Sequence, residues 1–205
     1  MTRPSILVLI SYRVFPALMG GQKCIASFYQ GLNQHCNVKL AVSNDNDLKA
    51  TTGLDVEDFL YNHWNGFANI RYLFRLLKII KTNQCQQVII EHSYFGWLGV
   101  LLRLFRKTPF IIRVHNVEAY RFRDLNRKWW RFYYFYEKWV CRRANKLWFT
   151  SPNDLKWMQE QWNIPAEKCM TLPYGIDISE PTSFIEKQTC RTILLEKYQL
   201  NYLSR

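Results

Sequence analysis

Glycine, proline and paired cysteines are scarce in this sequence. Only 8 of the 205 residues are glycine and 7 are proline, whereas 48% are hydrophobic, so the chain is not disordered and can bury a sizeable core. The six cysteines stand far apart without a C-x-x-C pair, which argues against a disulfide framework and against a zinc site. We therefore expect a reducing, cytoplasmic setting and one domain with an appendage.

Acidic residues and long apolar runs are also few. Lys and Arg number 28 against 16 Asp and Glu, and the resulting net charge of +12 favours an anionic partner such as nucleic acid, a phospholipid surface or a phosphorylated substrate. The charge alone does not choose among these partners. The apolar run before Arg13 is too short for a signal sequence or a membrane span, so we interpret it as a buried strand.

Strand and helix patterns alternate along the chain. Ser5–Ser11 (SILVLIS) is apolar without alternation, as in a parallel strand covered on both faces. Five more strands are predicted, at Val38–Val42, Val88–Ile90, Phe110–Val114, Lys146–Thr150 and Cys169–Leu172. Helices are predicted over 22–34, 67–81, 93–105 and 127–143 and from Ser151 as N-cap, whereas 43–65 could not be assigned. The alternation predicts an α/β fold with a doubly wound, Rossmann-like parallel sheet.

The helix predicted over 67–81 is amphipathic. Its apolar residues are expected to face the core, and they are Ile70, Leu73, Phe74, Leu77 and Ile80. Its basic residues are expected to face solvent.

Polar or glycine-rich segments follow four of the predicted strands. In an open parallel sheet, ligands bind beyond the carboxyl ends of the strands. The segments are Gly20–Gly21, 91–94 (EHSY), 115–118 (HNVE) and 173–177 (PYGID), and they should converge on one rim. A glycine pair leading into a helix can present backbone N–H groups to a phosphate, or can simply form a turn with positive φ. Neither a dinucleotide fingerprint nor a P-loop motif occurs.

The segment after the fourth predicted strand places an imidazole, an amide and a carboxylate in one short loop, from His115, Asn116 and Glu118. Such groups can hydrogen-bond sugar hydroxyls. A histidine at a strand end can equally be a satisfied structural residue, and Glu91 and His92 could pair with basic neighbours at the buried strand terminus. Both interpretations stay open at this level.

Together these segments resemble the N-terminal domain of the family-4 glycosyltransferases, which are retaining enzymes with the GT-B fold. The resemblance runs from Ile6 to Asp177. It is carried by the glycine pair after the first strand, by 91–94 as an acidic-His-x-aromatic strand end, by 113–118 (RVHNVE) as the H-N-[VI]-E element, and by 172–177 (LPYGID) as the [IL]-P-x-G-[IV]-D signature.

The resemblance implies a domain organisation and an activity. Residues 1–177 would form the acceptor-side Rossmann-like domain, and 178–205 a linker and the start of a C-terminal donor-binding domain that this sequence does not contain. The whole enzyme would transfer a sugar from a nucleotide-diphosphate donor to a hydroxyl acceptor with retention, in cell-surface polysaccharide or glycolipid synthesis. No metal or other cofactor is implied. This chain alone, as a truncated product or half of a split enzyme, is expected to be inactive.

The resemblance also assigns residues to roles. His115 would be the catalytic residue, in contact with the donor sugar, while Gly20 and Gly21 would offer backbone donors near the phosphate. The acceptor side would be lined by His92, Asn116 and Glu118. The remaining binding residues would be Glu91, Gly175 and Asp177.

The segment 127–143 (RKWWRFYYFYEKWVCRR) predicts a helix with a basic face and an aromatic face. The basic residues are Arg127, Arg131, Lys138 and Arg142, and the opposite face carries Trp129, Phe132, Tyr133, Tyr136 and Val140. Such a helix can lie in a lipid interface at the inner face of the membrane, or its aromatic face can pack on the sheet while its basic face is solvated. Amphipathic packing favours the second interpretation.

Two other classes of function are compatible with a basic α/β chain. A nucleic-acid-binding module would suit the net charge, but no zinc spacing or RNP-like motif accompanies it, so no nucleic acid is expected as a partner. A receiver-like interaction domain would need an acidic pair after the first strand, where this sequence has Tyr12 and Arg13.

Overall fold

The computed structural model describes residues 3–51, 53–61, 66–175 and 183–198. The chain divides into two units, Met1–Gly175 and Ile176–Arg205. The strands of the first unit are β1 (Ser5–Ile10), β2 (Asn37–Ser43), β3 (Asp55–Leu60), β4 (Gln87–Glu91), β5 (Phe110–Val114), β6 (Lys146–Phe149) and β7 (Cys169–Thr171). Its helices are α1 (Gly20–Asn33), α2 (Arg71–Thr82), α3 (Gly96–Arg106), α4 (Glu118–Asp124), α5 (Trp130–Arg143) and α6 (Pro152–Trp162). The second unit contains α7 (Phe184–Tyr198).

The strands form one parallel sheet in the order β3-β2-β1-β4-β5-β6-β7. Successive residues of β1 enter two different cores: Leu7 and Leu9 join the one packed against α2, α3, α5 and α6, and Val8 and Ile10 join the one packed against α1. Burial on both faces is the reason that the central strands are apolar without alternation. The predicted doubly wound α/β sheet is confirmed.

Strand β3 lies in the segment that the sequence left unassigned, so the sheet has seven strands rather than the six predicted. It is the edge strand and is acidic where a central strand would be apolar. Lys39 of β2 reaches across to Asp55 at 2.7 Å and to Glu57 at 3.1 Å. Charged edges of this kind prevent further strand pairing, and they remove the hydrophobic pattern by which strands are predicted.

The predicted helices differ from the observed ones mainly in where they begin, and α4 was not predicted. Helix α2 starts at Arg71, so Ile70 is its N-cap and is exposed, as is Phe74, contrary to the predicted inward face. The inward positions are instead taken by residues such as Tyr72, whose hydroxyl accepts a hydrogen bond from the Tyr61 backbone N–H at 2.9 Å. Ser151 is confirmed as the N-cap of α6, where its side chain accepts from the Asp154 N–H.

Candidate active site

The ends of β4 and β5 place two polar segments side by side. Glu91, the last residue of β4, is in register with Arg113 of β5. The residues that follow these strands meet Tyr12, which follows β1, and Tyr174, which follows β7. The predicted convergence on one rim is therefore seen for the segments after β4, β5 and β7, whereas after β1 the residue that reaches the rim is Tyr12 and not the predicted Gly20–Gly21.

Glu91 is the centre of a fully buried charge cluster. Its carboxylate accepts hydrogen bonds from the Tyr29 hydroxyl, from Arg113 Nη1 at 3.2 Å and from His115 Nε2. Burial by itself raises the pKa of Glu91, but the hydrogen bond from His115 and the charge of Arg113 outweigh it and lower the pKa to about 2. Arg113 is equally buried, and its guanidinium stacks over Phe28 with 4.1 Å to the ring centroid. Glu91 is thus a carboxylate at neutral pH that compensates a buried cation.

His115 is held between Glu91 and Tyr174. Because the Glu91 carboxylate can only accept, His115 Nε2 carries the proton, and Nδ1 accepts from the Tyr174 hydroxyl. Burial lowers the pKa of His115, and the attraction of Glu91 offsets this only in part. His115 is therefore a neutral imidazole at neutral pH, with its acceptor nitrogen turned toward a partly exposed phenol.

His92 makes a second chain of the same kind. Its Nδ1 donates to Glu118 Oε1 at 2.9 Å, and its Nε2 accepts from the Tyr12 hydroxyl at 3.0 Å. Burial raises the pKa of Glu118, but the hydrogen bonds that its carboxylate accepts, first of all the one from His92, outweigh burial and lower the pKa to about 2. The carboxylate of Glu118 also accepts from the Tyr94 hydroxyl and from Arg121 Nη1.

The two histidine rings stack on each other. Their centroids are 4.3 Å apart and their planes differ by 21°. His92 reaches this position with a left-handed backbone, φ 60°, which costs a non-glycine residue about 1 kcal/mol or more. The conformation is retained because the side chain is bonded at both nitrogens and the backbone N–H donates to the Arg113 carbonyl at 3.0 Å.

Glu137 of α5 holds the segment that carries Glu118. Its buried carboxyl accepts from the Ala119 N–H at 2.9 Å, from the Glu118 N–H at 3.2 Å and from Ser93 Oγ at 2.8 Å. It therefore caps the N-terminus of α4 from a neighbouring helix and holds Glu118 in place. Burial raises the pKa of Glu137 to about 8, and the N–H of Ala119 and the hydroxyl of Ser93 act against that shift.

Replacement of Glu137 by glutamine should reveal this raised pKa. Between the ordinary carboxyl pKa of about 4.3 and the folded value of about 8, the folded state binds more protons than the unfolded state. This contribution to stability is complete below the lower value and is lost as the pH rises through the upper one. We expect Glu137→Gln to be less stable by about 1–3 kcal/mol at acidic pH, since the NH₂ group of the amide replaces one of the two carboxyl oxygens that accept hydrogen bonds. We also expect the difference to shrink and then to change sign as the pH rises toward about 9, because only the wild type must ionise a buried carboxyl.

The measurement is the free energy of unfolding in urea as a function of pH for both proteins. Glu160→Gln is the matched control, because Glu160 is an exposed carboxylate on α6 and should not alter the pH dependence. A wild type and a Glu137→Gln variant with parallel pH profiles would contradict a raised pKa.

A cavity of about 1190 Å³ opens beside His92 and Glu118. Its wall is aromatic, with rings from Phe67, Tyr94, Trp97, Phe122, Trp129 and Phe132 among others. The polar groups in the wall include His92, Asn116, Glu118 and Arg121. The arrangement suits a ligand that offers hydroxyl groups to the polar residues and an apolar portion to the rings.

The residues that the structure describes contain no group of three or more His, Cys, Asp or Glu side chains that could hold a metal ion. None of their helices is both long and apolar enough to cross a membrane.

The sequence model of Glycosyltransferase Family 4 matches residues 19–180, which is most of the chain. The matched segment includes Glu91, His92, His115, Glu118 and Tyr174 of the rim. The chain belongs to glycosyltransferase family 4. No curated protein sequence matches it significantly.

Solved structures share the fold of this family-4 chain. Sucrose-phosphate synthase from Thermosynechococcus elongatus superposes with a TM-score of 0.71 at 11% identity, over 97% of this chain and 53% of that chain. HepE from Anabaena in complex with UDP gives a TM-score of 0.65 at 15% identity, over 93% and 50% of the two chains. The HepE complex with UDP and glucose gives 0.61 at 16% identity, over 92% and 50%. At such identities the likeness shows the fold alone, and the chain spans about half the length of these structures. It is a glycosyltransferase-like N-terminal domain.

The three glycines predicted for the family-4 site make none of these side-chain contacts. Gly20 and Gly21 form the first turn of α1 rather than the end of a loop, which corrects that prediction. Neither adopts a positive φ, and the space where a Cβ would lie is open at both. Gly175 is exposed and equally open, and Asp177 lies outside the described residues.

Several residues that bond directly to the predicted site residues of this family-4 domain were not themselves predicted, among them Tyr12 and Tyr174. Three others, Tyr29, Arg113 and Glu137, lie within predicted helices or strands. The sequence indicated two of them, Arg113 and Glu137, since a charged residue inside an apolar strand or on the inward face of a helix requires a buried partner. The sequence did not indicate which residue that partner is.

Proposed function

We propose that this domain is the acceptor-binding half of an enzyme that transfers a sugar from a nucleotide-diphosphate donor to a hydroxyl acceptor. The observation that carries the proposal is the pair of carboxylate–imidazole–phenol chains at the rim, beside an aromatic cavity. Membership of family 4 supports sugar transfer as the reaction. The UDP and glucose bound by HepE, which has the same fold, support a nucleotide sugar as the donor.

His115 is assigned to the transferred sugar. The Tyr174 hydroxyl that now donates to its Nδ1 is a chemical equivalent of a sugar hydroxyl, and Glu91 fixes the ring so that Nδ1 remains an acceptor. The first turn of α1, at Gly20 and Gly21, has open space where a side chain would lie and the positive end of the helix dipole, which suit the donor phosphate. Neither role needs a metal or another cofactor.

The acceptor is assigned to the aromatic cavity. His92, Asn116 and Glu118 would bind its hydroxyl groups, and the aromatic rings would stack on its apolar faces.

Retention at the anomeric carbon is proposed from the family. We place the reaction in the cytoplasm, at the inner face of the membrane, in the synthesis of a cell-surface polysaccharide or glycolipid.

The proposed division of labour gives residues 1–177 the acceptor and 178–205 the connection to a donor-binding Rossmann domain. That second half would come from a further domain or a partner chain. A transfer assay tests this. The chain alone and a fusion to the donor-binding half of a family-4 enzyme would be incubated with nucleotide sugars and with cellular lipid and oligosaccharide acceptors, with products detected by mass spectrometry.

We expect transfer by the fusion and none by the 205-residue chain. Transfer by the chain alone would contradict the proposed division. A fusion that is folded and binds nucleotide but modifies no acceptor would contradict the proposed function.

A further inference from the structure

Helix α5 carries large aromatic side chains on its solvent side. Phe132, Phe135 and Trp139 recur at intervals of three and four residues and therefore form one stripe. Phe132 is 78% exposed and Phe135 is 70% exposed, whereas Tyr133 and Val140 face the core. The expectation that the aromatic face packs against the core therefore holds for Tyr133 and Val140 but is wrong for Phe132 and Trp129. Exposed apolar stripes of this kind mark an interaction surface.

The same side of the molecule is strongly basic. Residues 125–143 contain six Lys and Arg, and their one acidic residue, Glu137, is buried. Residues 96–107 add three more basic residues, no acidic residue, and the exposed side chains of Leu104 and Phe105. Arg103 Nη1 donates to the Arg143 carbonyl at 2.8 Å, which places the C-terminal ends of α3 and α5 next to each other. We call the exposed residues of 96–107 and 125–143 the α3–α5 surface.

We propose that the α3–α5 surface binds an anionic lipid bilayer. Lys and Arg beside a membrane are attracted to acidic headgroups, while Phe and Trp lose exposed apolar area when they enter the headgroup region. A nucleic acid would satisfy the charge. A duplex keeps its bases stacked inside the helix, so its phosphate backbone and polar base edges would not bury the stripe of Phe132, Phe135 and Trp139.

The location of the cavity extends this proposal and rests on the proposed function. Trp129 and Phe132 both line the aromatic cavity and are exposed on the α3–α5 surface, so the cavity borders the face that contacts the bilayer. The acceptor hydroxyl is then carried by a membrane-anchored lipid, whose headgroup reaches His92 and Glu118 while its apolar part stays near the rings and the bilayer.

Vesicle co-sedimentation of the full 205-residue chain tests the proposal without any sugar donor. The vesicles contain either phosphatidylcholine alone or equal amounts of phosphatidylcholine and phosphatidylglycerol, at low and at high salt. We expect binding to the anionic vesicles that weakens with salt, and little binding to the neutral ones. In the variant Phe132→Ser/Phe135→Ser the partition coefficient should fall at least about tenfold. Arg131→Gln/Arg142→Gln should lower it on the order of tenfold at low salt.

Matched control variants test whether vesicle binding depends on the α3–α5 surface. Phe74→Ser removes an exposed phenylalanine of α2, and Lys49→Gln/Lys156→Gln removes two exposed charges outside the α3–α5 surface. Both should bind vesicles as the wild type does, and circular dichroism confirms that each variant is folded. Equal losses for Phe74→Ser and for the Phe132/Phe135 variant would overturn the assignment to α5.

A short DNA duplex and a single-stranded oligonucleotide, each added as competitor, separate a bilayer from a nucleic acid, since unpaired bases can stack on aromatic side chains. If DNA displaces the vesicles and the phenylalanine variant binds as well as the wild type, the surface is a general polyanion site and the proposal fails. Intact vesicle binding together with an inactive fusion would contradict only the proposed function.

Discussion

Replacement of Glu91 by alanine is expected to lower the free energy of unfolding by about 3–5 kcal/mol. Glu91 is fully buried and is the carboxylate paired with Arg113, which is itself buried. Its removal would strand the guanidinium in the core and would leave the Tyr29 hydroxyl without this acceptor. Urea denaturation monitored by circular dichroism measures the loss.

Two control variants distinguish the cost of an unpaired buried charge from the cost of removing any carboxylate. Glu91→Leu/Arg113→Met, which removes both charges, should recover most of the stability because no ion is left unpaired. Asp55→Ala breaks the exposed pair with Lys39 at the edge of the sheet and should cost less than about 1 kcal/mol. A loss for Glu91→Ala no greater than that for Asp55→Ala would contradict a stabilising buried cluster.

The contribution of Glu91 to the free energy of unfolding should decrease at acidic pH. The pKa of Glu91 is lowered to about 2 from its ordinary value of about 4.3. Its contribution to stability is therefore complete above the unfolded pKa and is lost as the pH falls toward the folded one. Acid destabilisation in this range should be weaker in the double variant than in the wild type.

Replacement of His115 by alanine is expected to lower kcat of the fusion enzyme by about 10²–10³-fold, because one pre-positioned hydrogen-bonding group to the transferred sugar is lost. Nucleotide affinity should change little, since the donor nucleotide is assigned to the other half. Kinetics of sugar transfer and calorimetric titration with UDP measure the two quantities.

His35→Ala is the matched control, because His35 is exposed in the turn between α1 and β2. Tyr174→Phe should keep most of the activity, since the Tyr174 hydroxyl is proposed to occupy the position of a substrate group. Unchanged kcat in His115→Ala would remove His115 from the reaction, whereas a fall in nucleotide affinity alone would place it in donor binding.

The central strands were predictable because both of their faces are buried, whereas the acidic edge strand β3 was not. The run Phe110–Val114 is apolar because two cores enclose it, and its predicted bounds are those observed. Strand β3 has the composition of a loop because it forms the edge of the sheet. Helix α4 was missed because its N-terminal N–H groups are capped by Glu137, which comes from another helix.

The sequence by itself determined the alternation of strands and helices and the position of the polar segments at strand ends. That order places Glu91, His92, His115 and Glu118 on one rim, because parallel strands end at the same edge. The partners of these groups were decided by the tertiary structure. The pairing of Glu91 with Arg113, the stacking of His92 on His115 and the exposure of Phe132 all depend on which strands are neighbours and how α5 is rotated on the sheet. Such contacts between distant residues leave no periodic trace in the sequence.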